Sequence, residues 1–377
     1  GALPEMKIAV TTLVFCVAAL LALGMVMLYS SSMTQVGTEY LIKQSIWCCA
    51  GIVACVLAAT IDYRLLKKYW WVFFAAALLL LAAVLNSHIG RRINGAQRWI
   101  SVGPLNFQVS EFGKLALIIA IAWYADFSQR QMNTFKRGIL YPALIIVPVL
   151  GLIFVEPDRG TTILLAAVSA GMLLVAGVRL AYFIPPIILA VAGLAFSIWH
   201  DPMRMKRIFS WLDLEGNKDG VGYQAYQAVL ALGSGGWFGL GLGNGRQKRG
   251  FVPEHHTDFI FSIIGEELGL VATLLVVITF VVILICGLYI AYRARDVFGM
   301  LLAVGITLLI SLQAAINVGV VTSALPNKGL PLPFISYGGS NLLAMLTCVG
   351  LLLSIARRAR VTEPLLDSDT IPDAQPP

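Results

Sequence analysis

Charged residues are scarce in this chain: Asp, Glu, Lys and Arg make up 12% of its 377 residues, about half the ~25% of an ordinary soluble domain. That shortage excludes a water-soluble globular enzyme, and with 58% hydrophobic residues it also excludes a disordered or collagen-like chain. Histidine is rarer still. The four (His88, His200, His255, His256) all stand outside the long apolar runs. The six cysteines (Cys16, Cys48, Cys49, Cys55, Cys286, Cys348) lie inside those runs with no C-x-x-C spacing. They read as small buried hydrophobes rather than redox or metal groups. No cleavable signal peptide is evident, because the apolar stretch 8–28 is too long for one and no A-x-A site follows it. No internal repeat is apparent either, which weighs against an inverted-repeat transporter.

What the chain has in abundance is apolar sequence, with a mean hydropathy of +0.83. A bilayer span needs roughly 20 apolar residues. That ruler gives ten intervals: 8–30, 45–61, 69–85, 112–127, 138–155, 161–177, 180–199, 267–291, 297–324 and 339–356. The expected fold is therefore an all-α polytopic membrane protein, one ten-helix domain over 1–360 followed by a disordered cytoplasmic tail over 361–377. The fourth span is the weakest, being short and carrying Lys114, and Pro185-Pro186 should kink the seventh. The formal charge of +7 belongs largely to topology. Lys and Arg are denser in the short connections on the side of the termini, which places both termini in the cytoplasm. Two long segments, 86–111 and 200–266, then face outward, and loops of that length usually carry function.

Chemistry concentrates on that outer side. Arg246, Lys248 and Arg249 precede Glu254, His255, His256 and Asp258 and then a span. Ionisable groups at a membrane border are functional suspects, although an interfacial loop with solvated charges fits the spacing equally well. His255-His256 makes a poor metal site, since adjacent residues seldom point at one ion. The glycines of 222–245 suit either a phosphate approach or tight packing, in equal measure. Glu111 and Lys114 share a helix face at i, i+3. Charged residues fill the short loop 156–160, and a Pro- and Gly-punctuated loop, 326–340, leads into the last span. Gln313 and Asn317, at i, i+4 in the ninth span, are expected to make interhelical hydrogen bonds. Carboxylates and cations beside an apolar bundle suit a substrate with an anionic head and a lipid tail.

The stretches Gly95-Ala96-Gln97-Arg98-Trp99, Phe107-Gln108-Val109-Ser110-Glu111, Glu156-Pro157-Asp158, Pro253-Glu254-His255-His256-Thr257-Asp258-Phe259-Ile260, Gly265-Glu266-Glu267-Leu268-Gly269, Gly329-Leu330-Pro331-Leu332-Pro333 and Ser336-Tyr337-Gly338-Gly339-Ser340 resemble the SEDS family, the FtsW and RodA proteins of bacterial cell-wall synthesis. The segment 243–248 and Asn327-Lys328-Gly329 look more like its division branch, FtsW, than its elongation branch. Two positions depart from the family pattern: Val109 stands where proline is usual, and Arg159 where an apolar or small residue is usual. The resemblance implies ten spans in the bacterial cytoplasmic membrane. It also implies polymerisation of lipid II into peptidoglycan on the outer membrane face, for division or elongation, with Asp258 as general base. Candidate cations for the pyrophosphate are Arg98, Lys114, Arg246, Lys248 and Lys328, or a divalent Mg2+ or Mn2+ ion. Glu111, Asp158 and Glu254 are implied for orientation or ion binding, and His256 and Ser336 as further substrate contacts; Glu111, Asp158 and Asp258 are the candidate metal ligands. No organic cofactor and no nucleic acid is implied. Implied partners are a class B penicillin-binding protein and other divisome or elongasome membrane proteins. The alternatives are a lipid II flippase and a non-catalytic divisome scaffold.

Overall fold

The computed structural model describes residues 4–32, 39–86, 88–93, 96–102, 105–218, 220, 222–245, 257–326 and 329–359. The tail over 361–377 lies outside them. Each of the ten apolar intervals falls on a helix. They are α1 (Pro4–Ser32), α2 (Glu39–Thr60), α4 (Trp70–Val84) after a short α3 (Arg64–Lys68), α5 (Val109–Phe127), α6 (Tyr141–Val155), α7 (Arg159–Val175), α8 (Ile184–Trp199), α11 (Ile260–Tyr292), α12 (Val297–Val321) and α13 (Gly339–Arg357). Two further helices, α9 (Pro202–Leu212) and α10 (Tyr223–Ser234), occupy the long loop between α8 and α11. By length and composition seven of the described helices can cross a membrane, while Trp70–Val84 and Arg159–Val175 are shorter apolar helices. The chain is a multi-pass membrane protein.

α12 is largely buried and packs against α5, α7, α11 and α13. The charge on α5 is tolerated because Lys114 Nζ lies 2.9 and 3.0 Å from the two oxygens of Glu111. α8 lies at the other extreme, with no buried residue, so its apolar surface is left for lipid. Its prolines do not kink it. Pro185 and Pro186 start the helix after a 3-10 turn over Leu180–Phe183, where a missing N–H leaves no bond unmade.

Two features of the site end were not expected. The segment taken as a plain outer loop is a three-stranded antiparallel sheet, β1 (Arg91–Ile93), β2 (Ala96–Val102) and β3 (Leu105–Gln108). Ile93 pairs with Ala96, and the sequence between them, Asn94-Gly95, is a dipeptide type favoured in two-residue hairpins. The second is a break in α11 at Gly269, whose φ of 81° and ψ of −174° are essentially restricted to glycine. The glycine-rich segment docks there backbone to backbone. Leu240 N–H donates to the Glu266 carbonyl at 2.9 Å, and Leu270 N–H to the Gly236 carbonyl at 2.9 Å. A Cβ on Gly239 would stand 2.2 Å from the Glu267 carbonyl oxygen. Tight packing is seen at Gly235 and Gly239, whereas Gly233, Gly236 and Gly243 have open space where a Cβ would stand and Gly222 lines the cavity described below.

Candidate functional site

The sheet, the α6–α7 loop, α9, the start of α11 and the loop before α13 enclose a cavity of about 640 Å³ at one end of the bundle. Four residues singled out from the sequence meet on its wall: Arg98, Glu111, Asp158 and Asp258.

Asp258 stands just before α11, and its main chain is strapped to two other elements. Asn317 Nδ2, on α12, donates to the Asp258 carbonyl at 2.9 Å and to the Leu330 carbonyl at 2.7 Å. The neighbouring Thr257 carbonyl accepts from Ser336 Oγ at 2.6 Å, and Ser336 Oγ in turn accepts from the Leu332 N–H at 2.8 Å. The loop carries glycine beneath the carboxylate, since a Cβ on Gly329 would lie 2.5 Å from Asp258 Oδ2. The expected interhelical bonding holds for Gln313 and needs correcting for Asn317. Gln313 does bridge helices, accepting from Lys114 Nζ at 3.1 Å, but its amide donates to the Pro331 carbonyl at 2.9 Å. Asn317 serves loop carbonyls. Together they hold the loop that faces Asp258.

Asp158 caps α7. Its Oδ1 accepts from the Thr161 N–H at 3.1 Å and its Oδ2 from Thr161 Oγ1 at 2.9 Å and Gln108 Nε2 at 3.2 Å. The same Oδ2 pairs with Arg98 at 3.2 Å. Glu111 lines the cavity, while Lys114, expected at the substrate, is buried behind it and is not on the wall; Asn341 Nδ2 also donates to Glu111 at 3.0 Å. Ser336, likewise expected at the substrate, lies behind the wall with its hydroxyl engaged in the loop. Arg246, Lys248, Glu254, His256 and Lys328 lie outside the described residues. Sequence reasoning passed over Arg207 on α9, which lines the cavity with Met203, Ser210 and Trp211. The i, i+4, i+7, i+8 spacing of those four was the signal that marks them as one helix face.

Among the described residues no three His, Cys, Asp or Glu side chains converge. The oxygens of Asp158 and Glu111 are engaged by the donors described above.

Glu156, the residue just after α6, is fully buried, and neither of its carboxyl oxygens has a hydrogen-bond partner. Burial, and then the negative charge of Asp158, push its pKa from 4.5 to about 8, with Arg98 acting the other way. Below about pH 4.5 the group is protonated in folded and unfolded chains alike. Between there and about pH 8 only the unfolded chain loses the proton, so stability falls as pH rises through that window and levels off above it. Glu156→Gln removes this slope. The variant is expected to match the wild type near pH 4.5 and to exceed it by on the order of 3 kcal/mol at pH 7. Thermal midpoints in one detergent across that range check it, and a gap that does not change with pH contradicts it.

The family model described as "Cell cycle protein", for FtsW, RodA and SpoVE, matches residues 11–361. A probable peptidoglycan glycosyltransferase FtsW of Trichlorobacter lovleyi is 39% identical over 363 residues, covering 95% of each chain. Stage V sporulation protein E of Bacillus subtilis is 36% identical, covering 95% of this chain and 98% of its own. A chain in the solved structure named "Structural coordination of polymerization and crosslinking by a peptidoglycan synthase complex" superposes with a TM-score of 0.78 at 29% identity, covering 92% of this chain and 96% of that one. The rod shape determining protein RodA of Thermus thermophilus gives a TM-score of 0.70 at 29% identity, with coverages of 93% and 97%. With a family model matched over nearly its whole length and these relatives aligned end to end, the chain belongs to the SEDS family of FtsW, RodA and SpoVE proteins.

Proposed function

We propose that this chain is a peptidoglycan glycosyltransferase that polymerises lipid II into glycan strands at the outer face of the bacterial cytoplasmic membrane. The observation that carries this reading is Asp258 on the wall of the site cavity, its main chain fixed by Asn317 and its carboxylate seated against Gly329. A sugar 4-hydroxyl attacks the anomeric carbon of a second lipid-linked sugar. The hydroxyl proton passes to Asp258, the bond from carbon to the diphosphate oxygen breaks, and the configuration inverts. A base does this when it stands within about 2.6–3.2 Å of the hydroxyl. Arg98 supplies positive charge near the leaving group, where charge develops in the transition state. Any Mg2+ or Mn2+ is read as riding on the substrate's phosphates, the usual partners of such ions, rather than in a cage of Glu111, Asp158 and Asp258.

Lysine and arginine density supports cytoplasmic termini and an outward-facing cavity. The partner we infer is a class B penicillin-binding protein, in line with the peptidoglycan synthase complex that contains the similar chain; division is favoured by the relatives named FtsW. A flippase is disfavoured by where the charge lies. Among the described residues the buried acidic and basic side chains, Glu111, Lys114, Glu156, Asp158, Glu266 and Glu267, all belong to the site end, so no charged path continues through the bundle. Purified chain given purified lipid II, with a class B partner and Mg2+, is expected to yield glycan polymer. Movement of lipid II across liposomes with no polymer would favour the flippase, and neither activity would favour the scaffold.

A further inference from the structure

A second basic cluster lies away from the cavity, where the ends of α6, α7, α8 and α9 meet. Asp158 pairs with Arg98 on the cavity wall. Its neighbour Arg159, the first residue of α7, does not line the cavity and lies over the Phe154 ring of α6 at 4.9 Å. Among the described residues Arg159 makes no ion pair. Arg204 of α9 stands close enough to repel its charge, and Asp201 offsets that repulsion only in part. Asp201 is already engaged: one oxygen caps α9, accepting from the Met203 N–H at 3.0 Å, and the other pairs with Arg204 Nε at 2.8 Å. Two guanidiniums therefore share one carboxylate, and the surplus charge is positive. From this juxtaposition we propose that Arg159 and Arg204 hold the phosphate of an anionic glycerophospholipid whose acyl chains lie on the exposed apolar ends of α6 and α8. Such a site goes beyond the polymerase reading and needs nothing from it.

The cluster stands at the right depth. Trp199, the last residue of α8, is 78% exposed, and an exposed tryptophan at the end of a span sits at the level of lipid headgroups. Arg204 is tied to that level, because its guanidinium donates to the Ser197 carbonyl at 3.2 Å and to Ser197 Oγ at 3.1 Å. Beside the arginines the surface is apolar. Phe154 ends α6, Ile163 lies one turn into α7 and Phe196 is on the last turn of α8, and all three are exposed. α8 has no buried residue and packs chiefly on the 3-10 turn before it and on α9, so hydrocarbon covers the rest of its length. A lipid seated here meets cations at the depth of its phosphate and an apolar surface beneath. Charge then selects the headgroup. A phosphate that bridges two guanidiniums relieves their repulsion and takes charge-assisted, bidentate hydrogen bonds. A zwitterionic lipid brings its own cation to the same place, which works against it. Arg159 is also one of the two positions at which this chain departs from the family pattern.

The test uses the full chain in detergent, titrated with dioctanoyl phosphatidylglycerol, dioctanoyl phosphatidylcholine and inorganic phosphate, with binding read by native mass spectrometry. The wild type is expected to take phosphatidylglycerol roughly tenfold or more tighter than phosphatidylcholine, and inorganic phosphate more weakly than phosphatidylglycerol because it has no chains to bury. Arg159→Gln should lose the preference, and Arg159→Lys, which keeps the charge without the fork, should retain part of it. Arg204→Gln should lose it too, and carries the test should Arg159→Gln fail to fold; thermal midpoints without lipid show which variants are folded. Wild-type preference in either folded glutamine variant overturns the proposal, as does equal affinity of the wild type for the two lipids, or for phosphatidylglycerol and inorganic phosphate. Displacement of bound phosphatidylglycerol by an equal concentration of farnesyl diphosphate would overturn it as well, giving the arginines to the substrate instead. Asp258→Asn should bind phosphatidylglycerol as the wild type does, so this site and the polymerase reading fail separately.

Discussion

Replacing Lys114 by Met is expected to destabilise the folded protein by roughly 3–5 kcal/mol, the usual effect of stranding one member of a buried ion pair. Lys114 and Glu111 are 1% and 2% exposed, and their connections reach beyond each other. Lys114 also donates to Gln313, and Glu111 accepts from Asn341, so α5, α12 and α13 share one polar knot. Without the lysine, Glu111 keeps a carboxylate's desolvation penalty and loses the charge that offsets it. The double variant Glu111→Gln, Lys114→Met removes both charges and should recover most of the loss. Thermal midpoints and folded yield in detergent distinguish the two variants. Equal stability of wild type and Lys114→Met would mean that the knot contributes nothing to the fold.

The helices were legible because a bilayer imposes a signal that needs no tertiary context: an apolar run of the right length must be a helix. The Glu111–Lys114 pair was legible for a similar reason, since i, i+3 spacing decides the contact. What escaped depends on partners distant in sequence. β1, β2 and β3 are short and rich in Arg, Gln and Asn, with little alternation to mark a buried face, and Asn94-Gly95 was the sign passed over. Asn317 looked like a helix-to-helix contact because its i, i+4 relation to Gln313 says nothing of carbonyls in a loop folded beneath α12's end. Pro185-Pro186 was misplaced by a boundary: the same pair that breaks a helix interior starts one at the first turn. Arg207 sits in a segment whose amphipathic spacing was readable, but only the fold turns that face to the cavity. The basic triplet and histidines of the loop before Asp258 lie outside the described residues, so the sequence alone speaks for Arg246, Lys248, Glu254 and His256.

Asp258→Asn carries the largest expected effect on activity. Asparagine keeps the backbone carbonyl that Asn317 holds and nearly the same side-chain volume over Gly329, so the fold and the cavity should survive. It loses the capacity to take a proton from the attacking hydroxyl. Removing a general base typically slows a reaction by about 10²–10⁴-fold, and a sugar hydroxyl is too weak a nucleophile to attack well without one. A scaffold or a flippase predicts no such dependence on one oxygen-for-nitrogen exchange. The direct measurement is glycan polymer formed from purified lipid II by wild type and Asp258→Asn, each with the same class B partner and each shown to be folded by its thermal midpoint. Polymer from the wild type and at least about a hundredfold less from the variant is the result predicted; polymer at the wild-type rate from folded Asp258→Asn would contradict it.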